Sequence, residues 1–318
     1  MCKRLDKDQQ CVNGVCAVIV TWNIGNRIEK NFIAVYHQVE KVIFVDNDSD
    51  METINALDRI QKQYSRVMII RNSLNTGIAR AQNQGIDYAL DHGFEWVLLL
   101  DHDSRPEKDM VLNLLKGLEN CSNNQKIAII APHIKDRNVN KPCYYITPWS
   151  GVFFKRSGFN GSDLIEHILA VISSGSLIRL AVIKDVGFFR EDFFVDHVDT
   201  EFCLRLITNG YFIIAVRNAV LRHSLGKIVP HWFMGREINV TNHNAQRRYT
   251  IYRNRLLVWK MYFLRTPSFI LFDFLAALFE LFKIMMFETD RKFKLYCAVK
   301  GIYSGLTGRN VDIEGLLK

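Results

Sequence analysis

Residues 98–104 read Leu98-Leu99-Leu100-Asp101-His102-Asp103-Ser104, and the fold is decided there. Trp96 and Val97 lead into three leucines, a run with no polar face. Such a run predicts a strand buried on both sides, as in a parallel sheet covered by helices. It stops abruptly at two carboxylates spaced i, i+2. Open α/β sheets bind ligands just beyond the carboxyl ends of their strands. Asp101 and Asp103 would therefore stand where hard oxygen ligands can help hold Mg²⁺ or Mn²⁺, and where such an ion can neutralise a diphosphate. The same tripeptide is common in solvated loops, so it decides nothing without its surroundings.

The surroundings repeat the pattern. Apolar runs at residues 15–21, 41–46 and 67–71 alternate with helical periodicity at 27–38, 51–64 and 77–92. Residues 106–119 read as a further helix with Pro106 in its first turn, and 127–131 as a strand. This alternation predicts a parallel, Rossmann-like α/β sheet flanked by helices. The first strand is followed by Thr21-Trp22-Asn23-Ile24-Gly25-Asn26, without the Gly-x-Gly-x-x-Gly fingerprint, which counts against a nicotinamide enzyme. After residue 135 the elements shorten. Strand-like segments at 144–154 and 172–179 precede helices at 181–186 and 199–209, and strands at 211–216 and 219–223.

Composition narrows the class. The 318 residues are 48% hydrophobic and 23% charged, enough for one large α/β domain with additions. A formal charge of +8 suits an anionic partner. The seven cysteines are dispersed with no Cys-x-x-Cys pair, which fits reduced thiols in a reducing compartment. The N-terminus lacks the apolar core of a signal peptide. From Gln246 the chain turns basic and aromatic, then runs apolar over residues 269–287. That run carries Asp273, Glu280 and Lys283 at i, i+7, i+10, on one face of a helix. The spacing predicts an amphipathic helix lying on a membrane surface, or packed against the domain or a second subunit, rather than one crossing a bilayer. The arginines Arg247, Arg248, Arg253 and Arg255 come with no nucleic-acid motif, so lipid headgroups or a lipid-linked diphosphate suit them better than nucleic acid.

Several further groups carry chemistry. Asp46 ends the second strand and can accept the imide N–H of a uracil or thymine, or merely start an Asx turn. Asn75, Gly77, Asn83 and Gly85 open the third helix, where small residues and free N–H groups suit a phosphate or close helix packing. Asp196, Asp199 and Glu201 form the densest acidic cluster, behind an aromatic run. Near a helix start, Asp199 is stabilised as a carboxylate, either as a cap or as a general base. His223 ends a strand-like run and is either a structural histidine or a third metal ligand beside Asp103.

In order, VTWN (20–23), VDNDS (45–49), NTGIARAQNQGI (75–86), LLLDHDS, SGSLI (174–178), FFVDHVDTEFCLR (193–205) and RHSLG (222–226) resemble the inverting family 2 glycosyltransferases of GT-A fold. Within them the chain looks most like bacterial dTDP-L-rhamnosyltransferases of O-antigen and related polysaccharide assembly, over residues 15–309. The resemblance implies a GT-A domain over 15–235, with a nucleotide-sugar half (15–135) and an acceptor half (136–235). It leaves residues 1–14 as a flexible start and 236–318 as a helical, membrane-associating region. It assigns Thr21, Asp46, Asn75, Gly77, Asn83 and Asp101 to the nucleotide sugar. Asp101, Asp103 and His223 fall to Mg²⁺ or Mn²⁺. Trp149, Ser174, Gly175 and Asp196 fall near the donor and acceptor sugars. Asp199 becomes the base; many members carry an acidic residue where Val198 stands, and the spacing to Glu201 and Leu204-Arg205 favours Asp199 over Asp196. The implied reaction moves rhamnose from dTDP-L-rhamnose to a saccharide on undecaprenyl diphosphate, on the cytoplasmic face of the cell membrane. Another donor, a UDP-hexose or UDP-galactofuranose, and a membrane-bound scaffold without turnover are the competing readings.

Overall fold

The computed structural model describes residues 11–136, 143–223 and 229–309. Of the flexible start expected over 1–14, residues 1–10 lie outside these, as do Ser224, Leu225 and Gly226, and the expectation fails for 12–14, which belong to the first strand, itself paired with its neighbour. β1 (Val12–Thr21), α1 (Ile28–Tyr36), β2 (Val39–Asn47), α2 (Met51–Gln63), β3 (Val67–Asn72), α3 (Ile78–Asp91) and β4 (Trp96–Asp101) alternate as the hydropathy pattern predicts. β5 (Arg105–Pro106), α4 (Met110–Glu119), β6 (Ile127–Asp136), β7 (Tyr145–Pro148), β8 (Phe154–Ser157), β9 (Leu164–Ile165) and β10 (Leu177–Arg179) follow. Then come α5 (Ala181–Val186), α6 (Val198–Thr208), β11 (Phe212–His223), β12 (Val229–Phe233) and β13 (Arg236–Val240). The described residues close with three helices, α7 (Ala245–Tyr262), α8 (Pro267–Phe287) and α9 (Arg291–Thr307).

The nine-stranded sheet runs β3-β2-β1-β4-β10-β6-β11-β5, with β9 also beside β11. β1 pairs in parallel with β2 and β4, β2 with β3, and β6 with β11. β10 is antiparallel to both its neighbours. Successive residues of the central strands feed opposite faces. Ala17, Ile19, Val42, Phe44, Leu98 and Leu100 pack towards α1, α2 and α4. Val18, Val20, Ile43, Val45, Val97 and Leu99 pack towards α3, α5 and α6. Both layers are sealed, which is why these strands read as unbroken apolar runs.

Two sequence expectations shift. Pro106 is not in a helix: it pairs with Leu221 in β5, and α4 starts only at Met110. The runs at 211–216 and 219–223 are one strand, β11, whose register slips between Val216 and Val220. The slip bends the strand so that one end pairs with β9 and the other with β5.

The C-terminal helices carry the larger correction. Residues 269–287 do form one helix, but its charges point inward. Arg255 pairs with Asp273 (3.1 Å) and Glu280 (2.9 Å), and Lys294 with Glu288 (3.1 Å). Arg248, only 1% exposed, pairs with both Glu280 and Glu288. Phe274, Leu275, Leu278, Phe279, Met285 and Met286 are exposed instead. α9 crosses close to α7, where Gly301 leaves room: a Cβ there would lie 2.3 Å from the Tyr249 carbonyl oxygen. Val258, Tyr262, Phe269 and Ile270 belong to the same core layer as α6, so these helices are continuous with the sheet domain. Among the described residues no helix is long and apolar enough to cross a membrane.

Candidate active site

Parallel register brings the strand ends together. Thr21 stands opposite Asp46, and Val20 opposite Asp101, so the carboxyl ends of β1, β2 and β4 share one edge. A cleft of about 770 Å³ opens above that edge. Asn47, Asn75, Gly77 and Ile78 form one wall, and Asp101, His102, Asp103 and His223 the floor. Phe194, Val195, His243 and Arg247 close the far side.

At the floor, Asp101, Asp103 and His223 each offer one donor atom, all within 4.8 Å of one another. His223 is buried; its Nε2 lies 3.8 Å from Asp101 Oδ2 and its Nδ1 3.8 Å from Asp103 Oδ1. The ring is held from behind. Nδ1 is 2.7 Å from Ser104 Oγ, which is 2.7 Å from Ser174 Oγ, which in turn accepts from the Asp101 amide at 3.1 Å. Ser104 and Ser174 thus orient a carboxylate and an imidazole at once, as partners behind metal ligands do. Burial pushes the Asp101 carboxyl up, against the pull of His223. Two carboxylates and an imidazole converging on a partly desolvated point suit a hard or borderline divalent cation, so the residues fit Mg²⁺ or Mn²⁺.

Asp199 sits in the first turn of α6, two residues after the cap position His197. It does not cap the helix; its Oδ1 accepts from the Thr200 amide at 2.8 Å and its Oδ2 from the Ser173 amide at 3.3 Å. Desolvation pushes its carboxyl up to about 6, against these hydrogen bonds. Such a group is a carboxylate near neutral pH yet takes a proton readily. Asp196 is differently placed. Arg247 donates to both its oxygens, at 2.9 and 3.0 Å, so its charge is already paired.

The remaining sequence candidates divide. Asn75 and Gly77 line the cleft, while the Gly77 amide donates to Asn75 Oδ1 (3.0 Å) and that of Ile78 to the Phe194 carbonyl (2.8 Å). These two leading N–H groups of α3 are engaged within the protein. Thr21 and Asp46 are buried against each other, Oγ1 donating to Oδ1 at 3.1 Å, and it is Asn47 that reaches the cleft wall. Asn83 is turned away: its amide donates to the Phe189 carbonyl (2.9 Å) and its oxygen accepts from the Phe189 amide (3.0 Å). Ser174 and Gly175 lie beneath the floor, the Gly175 amide donating to the Leu99 carbonyl at 2.7 Å. Trp149, 72% exposed in the β7–β8 turn, is not among the residues lining the cleft.

Other lining residues escaped sequence reasoning. Trp22 was visible as an aromatic at the end of β1, and half of it is exposed at the cleft. His243 precedes α7, whose cap Asn244 accepts from the Arg247 amide at 2.8 Å. Burial, with Arg247 and Arg248 beside it, pushes His243 down to about 4, so it is neutral at pH 7. Of the basic run, Arg247 alone of the four named arginines lines the cleft. Arg248 and Arg255 are buried in ion pairs, and Arg253 donates to the Asp192 carbonyl at 3.1 Å.

Comparison with known proteins fits this geometry. The profile of glycosyl transferase family 2 matches residues 16–186. The chain is 30% identical to the dTDP-rhamnosyl transferase RfbF of Shigella flexneri over 93% of its own length and 95% of that protein. It is 26% identical to the galactofuranosyltransferase GlfT1 of Mycolicibacterium smegmatis, over 76% of this chain and 81% of that one. Among solved structures, the mannosyltransferase PcManGT of Pyrobaculum calidifontis, in complex with GDP-Man and Mn²⁺, superposes with a TM-score of 0.54. That match is 16% identical and covers 98% of this chain and 82% of that one, which shows a shared fold.

Proposed function

This chain belongs to glycosyl transferase family 2 and is a glycosyltransferase, and from that premise we propose that it transfers a rhamnosyl group from dTDP-L-rhamnose, with inversion, to a saccharide acceptor. The observation that carries the donor is the likeness to RfbF along nearly the whole of both chains. The geometry above supports the following roles. Asn47, Asn75 and Trp22 line the part of the cleft that receives the nucleoside. Asp101, Asp103 and His223 hold Mg²⁺ or Mn²⁺, which when bound supplies positive charge to the diphosphate. Asp199 takes the proton of the acceptor hydroxyl as its oxygen attacks the anomeric carbon from the face opposite the leaving group. Ser173 and Thr200 keep the Asp199 carboxylate aimed without protonating it.

The acceptor is a lipid-linked saccharide, and the protein docks on the cytoplasmic face of the membrane through the outward side of α8. Support for this reading comes from the six exposed apolar side chains from Phe274 to Met286, with exposed Arg265 near one end of the helix and Arg291 and Lys292 near the other. Apolar side chains can enter the headgroup boundary while flanking cations meet anionic lipid.

The test is a donor panel of dTDP-rhamnose, UDP-galactofuranose and UDP-hexoses, with Mg²⁺ or Mn²⁺ and a bacterial lipid extract, read by mass spectrometry. A mass gain of one deoxyhexose from dTDP-rhamnose alone is expected. Transfer only from UDP-galactofuranose would replace the rhamnosyl reading with the one that the likeness to GlfT1 favours.

A further inference from the structure

Between the cleft and Asp199 runs a five-residue strap, 193–197, with an uncommon backbone. Phe194 has φ 51° and ψ −61°, and the Val195 amide donates back to the Phe193 carbonyl at 2.5 Å. This is a tight γ-turn of the strained hand. Asp196 and His197 follow, both left-handed at φ 61° and 59°. Three non-glycine residues with positive φ in so short a stretch do not persist unless something holds them. One side is held by α3: the Ile78 amide donates to the Phe194 carbonyl at 2.8 Å. Gly77 is needed there, because a Cβ would come within 2.6 Å of the Phe194 ring.

The other side is held from α7: Arg247 pairs with the Asp196 carboxylate, and one side chain binds the strap's backbone. Asn254, fully buried in the middle of α7, aims its Nδ2 at three carbonyl oxygens, those of Phe193 (2.9 Å), Val195 (2.9 Å) and Asp196 (3.0 Å). Its Oδ1 accepts from Arg253 at 2.8 Å, which fixes which way the amide faces. An amide nitrogen carries two hydrogens, so one is shared between carbonyls. Without it, the Val195 and Asp196 carbonyls would lose this donor and that of Phe193 would keep only the Val195 amide, a costly arrangement that the strap relieves by moving. Movement would reach the chemistry at once. Phe194 is 48% exposed and lines the cleft, and Asp199 stands two residues beyond the strap.

We propose that Asn254 is a positioning residue for the transfer step: it clamps the strap, and through it sets Phe194 in the cleft and the first turn of α6 that carries Asp199. The proposal rests on reading Asp199 as the base. It makes α7 part of the active-site architecture, and it assigns to Asn254 a role distinct from the buried arginines on the same helix, which hold α8 and its C-cap Glu288.

The experiment compares Asn254→Ala with wild type and Asp199→Asn, by transfer kinetics, calorimetric binding of dTDP with Mg²⁺, and thermal unfolding. A displacement of about 1 Å at a reacting group can lower rate about 10²-fold. The expected result for Asn254→Ala is therefore a kcat lower by about that factor, with dTDP affinity changed far less, because Asn47, Asn75 and Asp101 also have hydrogen bonds of their own outside the strap. In a Phe194→Gly background, where glycine adopts the positive φ freely, removing Asn254 should cost less of kcat than it does alone. Wild-type kcat in Asn254→Ala, or a parallel loss of dTDP affinity and kcat, overturns the proposal. If Asn254→Ala does not fold, Asn254→Ser keeps one donor: an intermediate kcat supports the clamp and a wild-type kcat overturns it. Failure of the base reading is separate, since it appears as wild-type turnover in Asp199→Asn whatever Asn254 does.

Discussion

The sheet edge and the C-terminal helices both enclose carboxylates, and they treat them in opposite ways. Beside the edge, in the first turn of α6 and outside the lining of the cleft, Asp199 is desolvated with only backbone amides for partners, and its carboxyl rises to about 6. In the helices, burial also acts to raise Glu280, but Arg255 and Arg248 overcome it and hold the carboxyl below the usual range. A buried acid without a cation is kept reactive at the expense of stability; a buried acid between two arginines is structural. Outside, the contrast reverses. The charged edge opens to solvent through a cleft, whereas the helices turn their charges in and their phenylalanines, leucines and methionines out.

If that division holds, neutralising a carboxylate should do opposite things in the two regions. The largest effect is expected at the edge. Asp199→Asn should lower turnover by about 10² to 10⁴, the usual worth of a general base, while dTDP binds as before. Because the folded-state carboxyl is raised above its ordinary value, ionised Asp199 subtracts stability as pH rises through about 6. Wild-type stability should thus fall as pH rises from the ordinary carboxylate value to about 6, a fall that the Asn variant lacks, and activity in the wild type should fall as pH drops through about 6. A variant that is active, or inactive only because it is unfolded, breaks the comparison on this side.

In the helices the damage should be to the fold. Arg248→Ala leaves Glu280 with Arg255, and Glu288 with Lys294, each short of a partner in a dry environment. Breaking a buried pair typically costs about 3–5 kcal/mol, so chemical denaturation should show a loss on that scale. Glu280 gives the pH signature. Its folded-state carboxyl is depressed, so its stabilisation is present above its ordinary value of 4.5 and is lost as pH falls below it. Activity should therefore disappear on acidification before the helices loosen. Circular dichroism and transfer rate followed together from pH 7 to 4 check the order.

The same contrast explains how much could be read from the sequence. From β1 to β4 the inner strands are buried on both faces, the outer strand β3 only in part, and each helix on one, so hydropathy reports position directly, and the carboxylates after Leu100 fall at the sheet edge by parallel register alone. Local chemistry behind the edge was not legible. Nothing in the sequence says that Asp46 turns to Thr21, that Asn83 serves Phe189, or that Asn254 reaches a strap 58 to 61 residues earlier in the chain. These are contacts made by tertiary packing, without a period. In α8 the rule itself inverts. Asp273, Glu280 and Lys283 do share a face, as their spacing says, but spacing cannot say whether that face meets water or arginines. The cations that bury it stand on α7, in the run that sequence reading directed toward an outside partner.

The smallest effect on the fold, and the sharpest test of the outer surface, belongs to α8. Removing the helix by truncation is uninformative, since Phe269 and Ile270 belong to the main core and Asp273 and Glu280 hold buried arginines. Substituting the outward residues avoids this. Phe274→Ser, Leu278→Ser and Phe279→Ser each change a side chain about half exposed, so each should shift stability by no more than about 0.5 kcal/mol. If the face lies on a bilayer, the triple variant should no longer float with vesicles of phosphatidylglycerol and phosphatidylethanolamine, while wild type does. Salt acts on the two parts differently. It screens the attraction of Arg265, Arg291 and Lys292 for anionic lipid but leaves apolar contact intact, so high salt should weaken wild-type flotation without abolishing it. The competing occupant is a second copy of the chain. In that case wild type would sediment as a dimer without lipid, the triple variant as a monomer, and vesicles would change neither. Substitutions there that cost several kcal/mol in the monomer would mean that the face is covered from within, and the contrast between the two regions would fail at its outer surface.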